Sequence, residues 1–273
     1  MQPIVNQVAE KVAQYWQQYP QVEAVAVAGS QMSGHAGVDS DIDIYIYTTV
    51  DLPAAQRLEM ARSFSPGAQL IDFWGPGLEW DDPATGIHLD NVFFSAAWID
   101  DQIDRVLLRH EPSLGYSTAF LNTVSRSYIL FDRNGWFAAL VNKARRPYPE
   151  ALAHAIIALN FPVLRSVFPS YRVQLLKAAK RRDGVSLNHR AAALLASYFD
   201  ILFAVNRLPH PGEKRLIEFV EKNCAKRPAT FSAQVQQLLT ACAVAPDEVS
   251  SAVDELCDGL EALLRDENLL PTT

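Results

Sequence analysis

Residues 22–49, VEAVAVAGS followed by QMSGHAGVDS and DIDIYIYTT, constrain the fold of this chain more than any other stretch. An apolar strand runs into Gly29-Ser30, ten residues intervene, and a second strand opens with Asp41 and Asp43. Side chains two apart on a strand share a face. Ile42, Ile44 and Ile46 therefore form a buried face, and Asp41 and Asp43 stand side by side on the other. Two adjacent carboxylates repel, and keeping both ionised is costly without a compensating cation. The segment asks for a sheet with a solid core on one side and a cation on the other.

The surrounding pattern sets this pair in a small α/β domain. MQPIVNQVAEKVAQYWQQYP spaces Ile4, Val8, Val12 and Trp16 at helical intervals and has neither the basic start nor the apolar run of a signal peptide. LPAAQRLEMARSF has helical spacing, with Pro53 tolerated in a first turn. AQLIDFW and GIHLDNVFFSAAW read as strands joined by a polar, Gly/Pro-rich loop, GPGLEWDDPAT. Beyond residue 150 the periodicity is helical, with successive segments separated by Pro, Gly or Asn, and a helical bundle is expected. The fold class expected is α/β, with an N-terminal domain over residues 1–125 and a helical bundle over 126–273. The break is sought between 110 and 150, with NKARRPYPE as the linker.

Composition excludes several classes. No apolar run approaches membrane-spanning length. Cys224, Cys242 and Cys257 are odd in number and far apart, which suits neither a disulfide framework nor a zinc site; buried thiols in a cytoplasmic protein are expected. The net charge of −7 hides an asymmetry: residues 1–110 carry a net of −10, residues 126–227 a net of +11, and the tail is acidic again. An acidic region beside a basic one suits a site shared by a metal and a polyphosphate, although solvated helix faces account for part of the pattern.

Gly29 after a buried strand lets a ligand approach the backbone, and the following loop, with Ser33, Gly34, Gly37 and Ser40, can form an anion nest. It lacks the Gly-Lys-Ser/Thr ending of a P-loop and the dinucleotide fingerprint. Carboxylates on a short strand suit Mg²⁺, which takes one or two of them together with phosphate oxygens and water.

Gly-Ser, ten residues, then Asp-Ile-Asp-Ile resembles the signature of the DNA polymerase β-like nucleotidyltransferase superfamily, over residues 25–47. An α/β domain followed by a helical bundle is similar to the nucleotidyltransferases that act on aminoglycosides and lincosamides. SYILFDRNG and YFDILFAVNRLPHPGEKRL look, more loosely, like the helical region of that group. The resemblance implies a Mg²⁺-dependent adenylyltransferase that takes ATP as donor and a small hydroxyl-bearing acceptor, an antibiotic among the candidates. It also implies a third carboxylate on a later strand. Asp90 in GIHLDNVFF is the first choice, and Asp72 in QLIDFW is the rival. Asp41, Asp43 and Asp90 would hold metal and carry the chemistry, with Gly29, Ser30 and Ser40 on phosphate. Lys214, after a Pro-Gly turn, is a further candidate phosphate ligand or simply a surface residue. No metal-ligand spacing joins the histidines, and Trp74 and Trp80 read as hydrophobic cover or as rings that stack a substrate. No membrane partner is expected, and nucleic acid is disfavoured by the acidic region that bears the site.

Overall fold

The computed structural model describes residues 3–28, 41–73 and 75–270. Its first compact unit comprises residues 1–104 and 120–146, and its second comprises 105–119 and 147–273. The second division falls at Arg146-Pro147, inside the expected linker NKARRPYPE. Residue 125, where the first domain was expected to end, instead lies within a helix of the first unit.

The first unit is built on a six-stranded mixed sheet in the order β3-β4-β5-β2-β1-β6. The strands are β1 (Val22–Val27), β2 (Ile42–Thr48), β3 (Gln69–Leu70), β4 (Gly77–Asp81), β5 (His88–Ser95) and β6 (Tyr128–Asp132). β2 and β5 run parallel, and every other pairing is antiparallel. A parallel pair needs a crossover; here it is made by α2 (Ala54–Phe64) together with β3 and β4.

One sheet face is the core. Val25 and Val27, then Ile42, Ile44 and Ile46, then Leu89 and Phe93 pack with Val5, Val8, Val12 and Trp16 of α1 (Pro3–Trp16). Those helix positions recur every three or four residues, so one stripe of α1 covers the sheet. Met60 and Ala61 of α2 complete that layer. The other face is closed near the ends of β2 and β5 by aromatic contacts. Tyr47 stacks on Phe137 of α5 (Trp136–Ala144) at 4.4 Å, and Phe94 stacks on Trp98 of α3 (Ala96–Leu107) at 5.4 Å. Phe120 of α4 (Ala119–Arg126) packs edge-on against Trp98 at 4.9 Å.

Two sequence expectations change here. GPGLEWDDPAT is not a loop: its Gly77–Asp81 segment is β4, with Leu78 and Trp80 buried on the core face. Its Gly and Pro residues flank a short alternating run rather than replace it. SYILFDRNG, which looked like part of a helical region, contributes β6, an edge strand paired with β1.

The second unit contains α6 (Glu150–Arg165), α7 (Tyr171–Arg181), α8 (Gly184–Val205), α9 (Leu216–Asn223), α10 (Phe231–Val244) and α11 (Val249–Asp266). α8 is its central helix, buried without interruption from Ser197 to Val205. The three cysteines are free buried thiols in this unit, as their spacing suggested. Among the described residues, no helix is long and apolar enough to cross a membrane.

Residues 105–119 form a strap belonging to this unit, and buried polar side chains hold it. Asn160 of α6 accepts the Gly115 N–H at 3.0 Å and donates to the Ser113 carbonyl at 3.0 Å. Asp200 of α8 accepts from the Ser117 hydroxyl at 2.6 Å and from the Ser117 N–H at 3.2 Å. Gly115 has φ +77°, and a Cβ there would lie 2.8 Å from Ala196 Cβ, so only glycine fits so close to α8.

Burial pushes the Asp200 carboxyl up to about 6, against the lowering effect of its Ser117 hydrogen bonds and of Arg105. A carboxyl whose folded-state value is raised stabilises fully below its unfolded value, and that contribution is lost as pH rises through the folded value. Asp200→Asn is therefore expected to be more stable than wild type at pH 7, by at most about 3 kcal/mol. The advantage should shrink as pH falls from about 6 toward 4. Urea unfolding of both proteins across this range measures the difference; a pH-independent gap would assign the effect to packing instead.

Candidate active site

The two carboxylates that opened the sequence reading meet a third in the sheet. In the parallel β2–β5 register Asp43 lies opposite Asp90, with Ile42 opposite Leu89 and Ile44 opposite Asn91. Alternation therefore places Asp43, Tyr45, Asp90 and Val92 on the face away from the α1 core. Asp41 is exposed one residue before β2 begins. Ala28, the last described residue after β1, donates its N–H to the Asp43 carbonyl at 3.1 Å. Ala28 and Asp41, the described residues that flank the Gly-Ser segment in sequence, thus both lie next to Asp43. Gly29, Ser30 and Ser40, with the rest of that loop and Trp74, lie outside the described residues.

Asp72 is differently placed. It forms an ion pair with Arg57 Nη2 and accepts the Gly77 N–H at 3.2 Å, tying α2 to the start of β4. Those contacts give it a structural task, whereas Asp90 sits in register with the Asp-x-Asp strand. Lys214 is exposed in the turn before α9 of the helical unit. Trp80 is buried against Phe64 in the core, so it is cover.

β4 brings two residues that the sequence reading passed over. Glu79 pairs with Asp90 and Asp81 pairs with His88. His88 Nδ1 lies 2.8 Å from an Asp81 carboxylate oxygen, and its Nε2 lies 3.8 Å from Glu79. Reading GPGLEWDDPAT as a loop hid Glu79. His88 could have been found from its place two residues before Asp90, on the same strand face.

The charges feel one another. Burial pushes the Asp90 carboxyl above its ordinary value; His88 opposes this, and the Glu79 and Asp41 carboxylates add to it. The Asp81 hydrogen bond holds the His88 imidazolium above its usual range, with burial opposing and Asp41 and Glu79 assisting. The Tyr45 hydroxyl, on a half-buried side chain, is pushed up by burial and then by Asp43 and Asp90. Asp90 Oδ1 is buried and has no hydrogen-bond partner among the described residues. Among those residues no three His, Cys, Asp or Glu side chains gather as a complete metal cage. A hard cation that takes one or two carboxylates and fills its other positions from phosphate and water needs no such cage. The orphaned oxygen of Asp90 beside Asp43 fits that kind of ligation.

Residues 10–70 match the family model described as Polymerase beta, Nucleotidyltransferase. The match spans the second half of α1, the strands on either side of the Gly-Ser segment, and α2. That segment of the N-terminal unit is thus similar to the nucleotidyltransferase domains of the DNA polymerase β-like superfamily. The chain is also similar to the solved structure of a nucleotidyltransferase-like protein from Exiguobacterium sibiricum 255-15, at 12% identity and a TM-score of 0.47, over 97% of this chain and 76% of that one. Among curated proteins none matches the sequence.

Asp72 and Asp90 should separate cleanly in stability. Asp72→Ala leaves the 5% exposed Arg57 without its carboxylate and frees the Gly77 N–H. A loss of about 1–3 kcal/mol is expected. Asp90→Asn removes a half-buried charge that its surroundings disfavour, so its melting temperature at pH 7 should equal or exceed that of wild type. Because the folded-state value of Asp90 is raised, any gain should fade on acidification. Differential scanning calorimetry of the two variants decides; a large destabilisation by Asp90→Asn would make that residue structural.

Proposed function

We propose that the protein is a Mg²⁺-dependent nucleotidyltransferase that moves a nucleoside monophosphate, AMP from ATP, to a hydroxyl of a small molecule, with antibiotics among the acceptors to try. The observation that carries this reading is the β2–β5 register, which sets Asp43 against Asp90 on the solvent side of a core sheet. Asp43 also lies within the segment that matches the polymerase β family model.

Asp41, Asp43 and Asp90 are the residues assigned to hold the cation. Mg²⁺, when bound, neutralises triphosphate charge and polarises the phosphorus under attack. Gly29, Ser30 and Ser40 are assigned to the β- and γ-phosphates through the loop N–H groups and hydroxyls, which orients pyrophosphate as the leaving group. Asp90 has a second assignment. A carboxylate with raised proton affinity, adjacent to the attacked phosphorus, is suited to take the proton of the acceptor hydroxyl. Lys214, a candidate on sequence grounds, belongs to the second unit and is given no part in this assignment. The protein's contribution is mainly positioning and charge complementarity.

Labelled NTPs incubated with Mg²⁺ and panels of small hydroxyl compounds, RNA and protein test the reading directly. Transfer to a small molecule is expected, and Asp41→Asn, Asp43→Asn and Asp90→Asn should each abolish it. Label appearing only on RNA or protein would move the acceptor to a macromolecule. Nucleotide binding without transfer to any acceptor would make the domain a binding module.

Linkage offers a second measurement. A ligand specific for the folded state stabilises it by about 2.7 kcal/mol at roughly a hundredfold excess over its dissociation constant. ATP with Mg²⁺ should raise the melting temperature more than either alone, because metal and triphosphate complete each other's coordination; equal shifts with and without Mg²⁺ would overturn the metal assignment. The net of −10 over residues 1–110 also predicts weak binding to tRNA or single-stranded RNA at physiological salt, measured by anisotropy. Tight, salt-sensitive binding would favour the macromolecular acceptor.

A further inference from the structure

The first unit has a cavity of about 470 Å³ at the end of β2 and β5 opposite to the carboxylates. Thr48, five residues along β2 from Asp43, lies in its wall. At the rise of an extended strand that is a separation of roughly 16 Å, so the cavity is not the metal–nucleotide site. Its size falls within the range of small-ligand pockets, which are mostly apolar with a few polar groups that fix orientation.

The walls have a definite chemistry. Phe93, Phe94 and Trp98 form an aromatic side, with Trp98 stacked on Phe94 at an interplanar angle of 8° and left 39% exposed. The negative faces of such rings attract cations. Arg57 also lines the cavity, but its charge is already engaged. Its Nη1 donates to the Leu52 carbonyl at 2.5 Å, its Nη2 pairs with Asp72, and the guanidinium lies 5.5 Å over the Phe93 ring. Asp51 is the opposite case. It lines the cavity and is exposed, and no hydrogen bond or ion pair among the described residues engages its carboxylate.

The uncompensated charge of the lining is therefore negative, and it stands beside an aromatic wall. An anion would meet repulsion from Asp51 and no free cation in return. A hard metal ion would find one carboxylate where it takes several oxygen ligands. An ammonium joined to a flat apolar body matches both features together. We propose that this cavity binds an aromatic monoamine. Its ammonium pairs with Asp51, and its ring lies against Phe94 and Trp98. The site is separate from the carboxylates assigned to nucleotidyl transfer.

The test is direct binding to the full chain, by calorimetry and saturation-transfer NMR, with tryptamine, 3-methylindole and indole-3-propionate as probes. Tryptamine should bind saturably. 3-Methylindole, which keeps the ring without the ammonium, should bind about threefold more weakly. Indole-3-propionate, with a negative charge in place of the positive one, should bind more weakly still. Asp51→Asn changes an exposed residue and should weaken tryptamine about threefold while leaving 3-methylindole unchanged, with the fold retained by circular dichroism. Trp98→Ala should weaken both about tenfold. Asp43→Asn should bind tryptamine as wild type does. No saturable binding of tryptamine, equal binding of indole-3-propionate, or wild-type binding by Asp51→Asn would overturn the proposal. So would loss of tryptamine binding in Asp43→Asn, which would move the amine to the metal-site carboxylates. None of these readouts depends on nucleotidyl transfer, so failure of the proposed reaction and failure of this site are distinguishable.

Discussion

The parallel pairing of β2 with β5 is the interaction on which the rest of the first unit depends. It sets three isoleucines beside Leu89 and Phe93 on one face, where α1 closes the core, and on the other it sets Asp43 against Asp90. A one-residue slip would exchange the faces, burying the carboxylates under α1 and exposing the isoleucines. The apolar side of the sheet therefore enforces the polar side. Removing several fully buried aliphatic side chains from water outweighs the repulsion of two partly exposed acids.

The chain then does something less direct. After β5 it runs through α3 into the strap 105–119, which is part of the helical unit, and then returns to the first unit for α4, β6 and α5. Within the helical unit the strap is held by Asn160 and Asp200, two buried polar side chains whose acceptors and donors are matched to backbone and hydroxyl groups. A buried polar group contributes only when so matched. Asp200 does so as a carboxyl whose charge its surroundings oppose.

Much of this was legible in the sequence. The helices beyond residue 150 appeared as amphipathic runs, and Phe231–Val244 was bounded as read. β1, β2 and α2 followed from alternation and helical spacing. Less legible were α3, α4 and α5: the strand read over GIHLDNVFFSAAW ran on into the first turn of α3, which begins at Ala96, and α4 and α5 are short, at eight and nine residues. β4 was masked by flanking Gly and Pro, and with it went Glu79.

The sequence by itself determined the spacing of the Gly-Ser turn and the Asp-x-Asp strand, the alternation that keeps the acids out of the core, and the helical character of the second half. These are local properties, set by the two-residue period of a strand and the 3.6-residue period of a helix. Only the tertiary structure decided between Asp90 and Asp72 as neighbour of the pair, by placing Asp90 in register with Asp43 and giving Asp72 to Arg57. It alone brought Glu79 and His88 to the same face, and Thr48, Arg57 and Trp98 to one cavity. Such juxtapositions depend on strand order and register across a crossover, which are fixed by burying the whole sheet at once.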